Sequence, residues 1–250
     1  MISDREHWLA RTLIELADTL ADDFELDALL SRLLERCVEL LGAADAGIVL
    51  TNDEGCLQAV ASTSERMHVL ELLEVQNEEG PCLDSYLSGT PILNAPLSDE
   101  RWPAFTALAR DAGFRRVHAI PLQHASVAVG ALNIFHADEG VSPSADLDVV
   151  QSLADIATIS VLHHRALSYA STAAGQLEHA LRSRVAIEQA KGVLAERLQI
   201  DVDAAFALLR GFARNHNEHI AAVAGSVVRG TLTSEQLPEP AVRPATPPHR

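Results

Sequence analysis

The sequence predicts an α+β fold: an antiparallel sheet with flanking helices, then a long helix and a small all-α three-helix bundle. Three observations carry this expectation. Several strand-like stretches are joined by connections too short for βαβ crossovers at both ends, which disfavours a doubly wound parallel sheet. From residue 144 to about 198, only Gly175 interrupts a helix-compatible run. Two short amphipathic segments and a proline-rich tail then close the chain.

Each element follows from periodicity and punctuation. Leu9, Leu13, Leu16 and Leu20 recur at helical spacing and predict an amphipathic helix over 7–22. A second helix over 25–41 carries Leu26, Leu29, Leu30, Leu33, Cys37, Leu40 and Leu41 on a wide apolar face, with Gly42 as its stop. Strands over 46–51 and 57–62 flank the turn-rich Asn52-Asp53-Glu54-Gly55 and form a hairpin. A helix over 64–75 is broken by Asn77-Glu78-Glu79-Gly80-Pro81-Cys82, and a short helix covers 83–87. A strand at 91–94, a helix over 101–112 ended by Gly113, and strands at 116–122 and 125–135 complete the first region.

Val141-Ser142-Pro143-Ser144-Ala145-Asp146 reads as a helix start: serines for capping, an early proline, acid in the first turn. In the helix that follows, Leu147, Val150, Ala154, Ala157 and Val161 form one heptad-like seam. Leu167, Ala170, Ala174, Leu177 and Leu181 form another, displaced by one residue near His163-His164. Such seams suit either a parallel dimeric stalk or a long surface helix packed on its own domain. Asp201 is the expected N-cap of the next helix, with Ala205, Phe206, Leu209, Phe212 and Ala213 on one face. Asn217 is expected to cap the last helix, with Ile220, Val223, Ala224 and Val227 inward and Gly230 as its end. The tail 233–250 has the composition of a disordered segment.

Charge is distributed unevenly along the 250 residues, whose formal net charge is −16. Residues 1–174 hold 10 Arg/Lys against 27 Asp/Glu, whereas residues 175–232 hold 7 against 6. Since neutralising phosphates drives nucleic-acid affinity, the second segment is the place for any polyanion contact. The first residues carry both charge signs and do not read as a signal peptide, and no stretch approaches the ~20 apolar residues of a membrane span. The expected location is cytoplasmic. Cys37, Cys56 and Cys82 are odd in number and widely spaced, as reduced structural thiols are, with no metal-ligand spacing.

Lys191 is the only lysine in the chain, and Gly192 follows it. Glycine costs a helix interior roughly 1 kcal/mol against alanine, so something is expected to approach there, either a neighbouring helix or a partner. Ile187, Ala190 and Leu194 should face the other two helices of the C-terminal bundle. Arg184, Glu188 and Lys191 form the neighbouring stripe, with Arg184–Glu188 and Glu188–Lys191 at pairing distance. Arg210 and Arg214 lie four apart on the flank of Phe206. Packed together, these stripes gather Arg184, Lys191, Arg210 and Arg214 near one surface. That surface is either a solvated face laced with ion pairs or a polyanion site.

Arg184-x-x-Ile187-Glu188-Gln189-Ala190-Lys191-Gly192-Val193-Leu194, then Ala205-Phe206-x-x-Leu209-Arg210, then Asn217-x-x-Ile220-x-x-Val223-Ala224-x-x-Val227-Val228 closely resembles the ANTAR domain, a family of RNA-binding transcription antitermination modules. The resemblance covers about 180–230 and implies an ANTAR dimer that binds paired hairpins in a leader transcript. RNA loops offer unstacked bases and converging phosphates to short basic helices. The resemblance carries over Arg184, Lys191 and Arg210. Arg214 stands where a neutral polar residue is more frequent, and Ala195 where methionine is. Glu79-Gly80-Pro81-Cys82, Arg101-Trp102-Pro103, Ala119-Ile120-Pro121-Leu122 and Val129-Gly130-Ala131-Leu132-Asn133-Ile134 resemble a GAF sensory domain of actinobacterial GAF–ANTAR regulators.

The implied organisation is an N-terminal helix (1–24), a GAF-like sensory domain (25–165), a helical linker (166–179), an ANTAR-like module (180–232) and the tail (233–250). The implied function is a signal-responsive, homodimeric RNA-binding antiterminator that acts on the transcription machinery indirectly and has no membrane partner. No cofactor is identified; the GAF-like domain implies an unidentified small-molecule ligand, with Cys82 and His118 as candidate pocket residues. No catalytic constellation is visible, so an enzyme is not expected. The residues also allow two other readings: a regulator acting through protein contacts of the C-terminal bundle, and a redox enzyme with Cys82 as nucleophile, which needs a low-pKa thiol.

Overall fold

The computed structural model describes residues 4–21, 25–98 and 101–232. The tail 233–250 lies outside the described residues, as do the side chains of 17–24, which include Leu20. The chain divides into two compact units, Met1–Leu167 and Ser168–Arg250.

The first unit is built on a five-stranded antiparallel sheet in the order β2-β1-β5-β4-β3. Its strands are β1 (Asp45–Thr51), β2 (Leu57–Ser62), β3 (Ile92–Pro96), β4 (Arg116–His124) and β5 (Val127–His136). β1 and β2 pair as the expected hairpin, and β4 and β5 turn back on each other across Ala125. Central strands alternate their side chains between two buried faces. Ile48, Leu50, Ile120, Leu122, Leu132 and Ile134 point to one face. There they pack against Leu29, Leu30, Leu33, Leu34 and Cys37 of α2 (Leu26–Leu41). The opposite face takes Val117 and Phe135 against Met67 and Leu70 of α3 (Glu65–Asn77) and Phe105 of α5 (Pro103–Asp111), with Trp102 and Phe114 beside them. Leu16 of α1 (Asp4–Ala21) joins the first face, while Leu13 of the predicted seam is half exposed.

Local signals decide where these helices begin and end. Gly42 ends α2 in the left-handed conformation, φ 59°, and donates its N–H to Val38. The Ser64 hydroxyl accepts the Met67 N–H at 3.2 Å and starts α3. The short helix α4 spans Pro81–Ser88, two residues earlier than expected, because Pro81 serves as its first residue. The Trp102 indole donates to Asp84 Oδ2 at 2.9 Å, which ties α4 to the start of α5.

The helix α6 runs unbroken over Ser144–Leu198, through Gly175. Its first seam resolves one of the open alternatives. Leu147, Val150, Ala154, Ala157 and Val161 are all buried, and the last four belong to the core cluster beneath the sheet. Ser142, expected as a capping residue, instead accepts the Arg116 guanidinium at 2.9 Å.

The second unit contains the rest of α6, α7 (Val202–His216) and α8 (Ile220–Val228). Every residue from 168 to 182 is exposed, including Leu177 (63%) and Leu181 (56%) of the second seam. Beyond it Ala190 and Leu194 pack with Ala205, Leu209, Phe212, Ala213, Val223, Ala224 and Val227, as the periodicity predicts. Asp201 Oδ1 accepts the Ala204 N–H at 2.7 Å and caps α7. Asn217 does not cap α8. It ends α7 at φ 54°, a left-handed conformation that Asn tolerates, and α8 begins after His219.

Candidate functional site

In the C-terminal module one contact joins the two predicted stripes. Lys191 Nζ lies 5.7 Å from the centroid of the Phe206 ring and 2.9 Å from Glu188 Oε2, and its side chain is only 16% exposed. The lysine therefore bridges α6 to α7 with its charge already matched. Phe206, Arg210 and Arg214 follow at four-residue spacing on α7, so Lys191 meets the first residue of that row. Arg184, Arg210 and Arg214 are exposed and form no ion pair among the described residues. Of the two expected pairs, Glu188–Lys191 forms and Arg184–Glu188 does not among the described residues. A Cβ added at Gly192 meets nothing within 4 Å, so no neighbouring helix needs this glycine.

A groove between α6 and α8, of about 920 Å³, was not legible in the sequence. Arg182 and His179 stand on one wall, His219 and Arg229 on the other, with Ile187 and Ile220 between them. The i, i+3, i+7 spacing of His179, Arg182 and Ala186 was its only sequence signal.

In the first unit, Cys82 lines a cavity of about 420 Å³ with Leu57, Glu74, Val75 and Tyr86. Its thiol is pushed up by burial and then by the charges of Glu74 and Glu71, the opposite of what thiolate chemistry needs. Glu74 Oε1 accepts the Cys82 N–H at 2.6 Å and Oε2 accepts Asn133 Nδ2 at 3.2 Å. Burial raises its pKa to about 8 against these hydrogen bonds. Glu71 is fully buried, neither of its oxygens has a hydrogen-bond partner among the described residues, and burial, then Glu74, raises its pKa as well. It lies against Gly47, where an added Cβ would come 2.2 Å from its carboxyl oxygen.

His118 is not among the residues around this cavity. It is buried near the β3 edge, where Nδ1 accepts the Asn94 N–H at 3.0 Å and Nε2 meets Arg116 Nη1 at 2.9 Å. Its ring stands edge-on to His136, 5.2 Å away. Burial, His136 and Arg116 lower its pKa to about 3; burial and Arg116 lower that of His136 to about 4. Both rings are therefore neutral parts of a packed network.

A sheet domain covered on both faces, followed by an exposed helix and a three-helix module, is a two-domain architecture. The GAF domain model matches residues 25–161 and the ANTAR domain model residues 175–228. The chain belongs to the GAF family and carries an ANTAR domain after it, the order of a GAF–ANTAR regulator. Among solved structures, it is similar to the GAF domain of a phosphoenolpyruvate-protein phosphotransferase (ptsP) from Coxiella burnetii. That match has 16% identity and a TM-score of 0.52, and covers 64% of this chain and 96% of that one. A GAF domain of the same enzyme type from Acinetobacter gives 13% identity and a TM-score of 0.50, covering 64% and 97%. No curated protein matches the chain. GAF and ANTAR are sensory and regulatory domains, and no described helix is long and apolar enough to cross a membrane.

Proposed function

We propose that this chain is a signal-responsive RNA-binding antiterminator that works as a cytoplasmic homodimer, of the actinobacterial GAF–ANTAR type. The carrying observation is the ANTAR match on a module where Arg184, Arg210 and Arg214 stay exposed and unpaired among the described residues, in a chain of net charge −16. An acidic protein that keeps three guanidiniums free on one small module has them available for phosphate. Lys191 packs on Phe206 beside the α7 row, and its ammonium reaches RNA phosphate in exchange for Glu188. The bound RNA is a pair of hairpins in a leader transcript, and the effect on the transcription machinery is exerted through that RNA.

Residues 25–165 act as the sensory domain, 166–179 as the linker and 180–232 as the RNA-binding module. Dimerisation is read from the second seam. Ala170, Ala174, Leu177 and Leu181 keep a strict 4-3-4 spacing on a stretch exposed all round, and parallel pairing of two helices buries such a seam. The cavity beside Cys82 and Glu74 is the sensory pocket of this reading. Gating requires its ligand to bind two arrangements of the stalk with different affinity.

Titrating the full chain into a labelled two-hairpin leader RNA, with duplex DNA as control, tests the reading. Salt-sensitive binding to the RNA and none to the duplex DNA is expected. Absence of RNA binding at low salt would leave a regulator working through protein contacts instead.

A further inference from the structure

We propose that the groove between α6 and α8 is a second RNA contact: an unstacked nucleotide lies on its aliphatic floor and its flanking phosphates meet Arg182 and Arg229. The inference rests on the RNA-binding reading above and assigns that reading a surface on the other side of α6 from the Lys191 stripe.

Charge singles the groove out. Four other cavities of the described chain have glutamate in their walls: Glu15 and Glu39, Glu139, Glu65, and Glu74 with Glu78. The α6–α8 groove has none, and two arginines and two histidines line it. In a chain with 35 acidic against 19 basic residues, that combination is selective. Ala186, Ile187, Ile220 and Ala221 give it an apolar lining, as a base face requires, with Ala222 exposed at its rim. Its volume, about 920 Å³, is within the usual range of ligand pockets. The His179 and His219 rings offer stacking surfaces and N–H donors at the two walls.

The arginines are lightly held. Among the described residues Arg182 pairs only with Glu178, one turn earlier and itself exposed, at 3.2 Å. Arg229 Nη2 reaches the Ser226 hydroxyl at 3.5 Å. Gly225 gives Arg229 its place: an added Cβ would come 3.0 Å from its Nη1. The guanidinium therefore lies back across α8 at the edge of the groove.

Dimerisation leaves this groove open. At 3.6 residues per turn, His179, Arg182 and Ala186 centre roughly 140° around α6 from Ala170, Ala174, Leu177 and Leu181. Arg184, Glu188 and Lys191 continue on the seam side. Two copies joined along the seam thus carry their grooves outward, one for each of two hairpins.

The test measures binding of the full chain to the two-hairpin RNA and to an all-paired duplex RNA of equal length. The variants are Arg182→Ala with Arg229→Ala, and Ala222→Glu, which places a carboxylate in the groove from an exposed helical position. The double variant is expected to weaken hairpin binding about tenfold or more and to lower the salt slope by about 1.4, the share of two single-strand phosphates. Ala222→Glu should weaken it comparably, with helix content and dimerisation unchanged in both. Wild-type binding that survives both variants with the same salt slope overturns the groove and leaves the RNA reading standing. Failure of the wild type to bind RNA overturns both. An equal loss on duplex RNA removes the unstacked nucleotide, and dissociation of the dimer by the variants reassigns the groove to a contact between copies.

Discussion

The interiors of the two units differ in kind. The sensory domain buries Asp45, Glu71, Glu74, Arg116, His118, Asn133 and His136, whereas the C-terminal module buries no polar or charged side chain among the described residues. Its core is alanine, leucine, valine and one phenylalanine. Buried polar groups lower stability unless each is satisfied, and here both Glu71 oxygens, Asn133 Oδ1 and His136 Nε2 are not. The contrast separates the tasks. The first domain carries its chemistry inside, where a ligand or a proton alters it; the module carries its own on the surface and needs the core only as a frame.

The largest effect is expected where that frame is thinnest. Leu194 is fully buried in a unit with few other large side chains, so Leu194→Ala should cost about 2–5 kcal/mol. In a module of this size that suffices to unfold it. Calorimetry should then show the sensory transition intact and the module transition lost. A shift of both together would break the comparison, since it would make the interiors one cooperative unit.

The opposite sign is expected inside the sensory domain. Glu71→Met removes a buried carboxyl with no partner and keeps a side chain of similar reach, so the domain should gain about 1–3 kcal/mol. A loss of stability would mean that Glu71 has a partner in solution and that the domain's interior is better satisfied than its geometry indicates.

Much of this was legible in the sequence, for physical reasons that also explain the rest. Period-2 and period-3.6 patterns reported the sheet, the helices and the inward row of Ala190 and Leu194, because burial along one element leaves its mark in consecutive residues. The fate of the two α6 seams was not legible: their spacing is the same, and only the presence of a sheet beneath Val150 and Ala154 distinguishes them. No sequence pattern marked Glu71 and Glu74 of α3 as buried. Their burial depends on Gly47 and Asn133 of strands distant in sequence. The α6–α8 groove likewise joins residues about 40 positions apart. Lys191 drew notice by composition, but its contact with Phe206 emerged only from packing.

Acidity gives the next prediction. The Glu74 pKa is raised from an ordinary 4.5 to about 8, so the folded domain holds a proton that the unfolded chain releases. Stability from this group is complete below about pH 4.5 and is lost as pH rises through 8. His118 and His136 act in the reverse sense: their pKa values are depressed from 6.5 to about 3 and about 4, so their contribution is present above pH 6.5 and lost as pH falls. Melting of the sensory domain followed from pH 5 to 8 should separate the two. Glu74→Gln should make the alkaline side shallower, with Glu71 supplying what remains, and leave the acidic side alone. The module, which buries no titratable side chain among the described residues, is the internal control.

The smallest effect bears on the surface of the module. Gly192 sits in a helix where no described residue approaches within 4 Å of an added Cβ, so Gly192→Ala should stabilise the module by up to about 1 kcal/mol. A residue that costs stability and serves no internal contact is expected to serve an external one. The same variant should therefore weaken RNA binding, because its methyl group occupies space beside Lys191 that a backbone or base would otherwise use. Melting and RNA titration of one protein separate these two consequences. Higher stability with unchanged affinity would confine RNA recognition to Arg184, Arg210 and Arg214 and the α6–α8 groove, and would leave Lys191 as the bridge that holds α6 to α7.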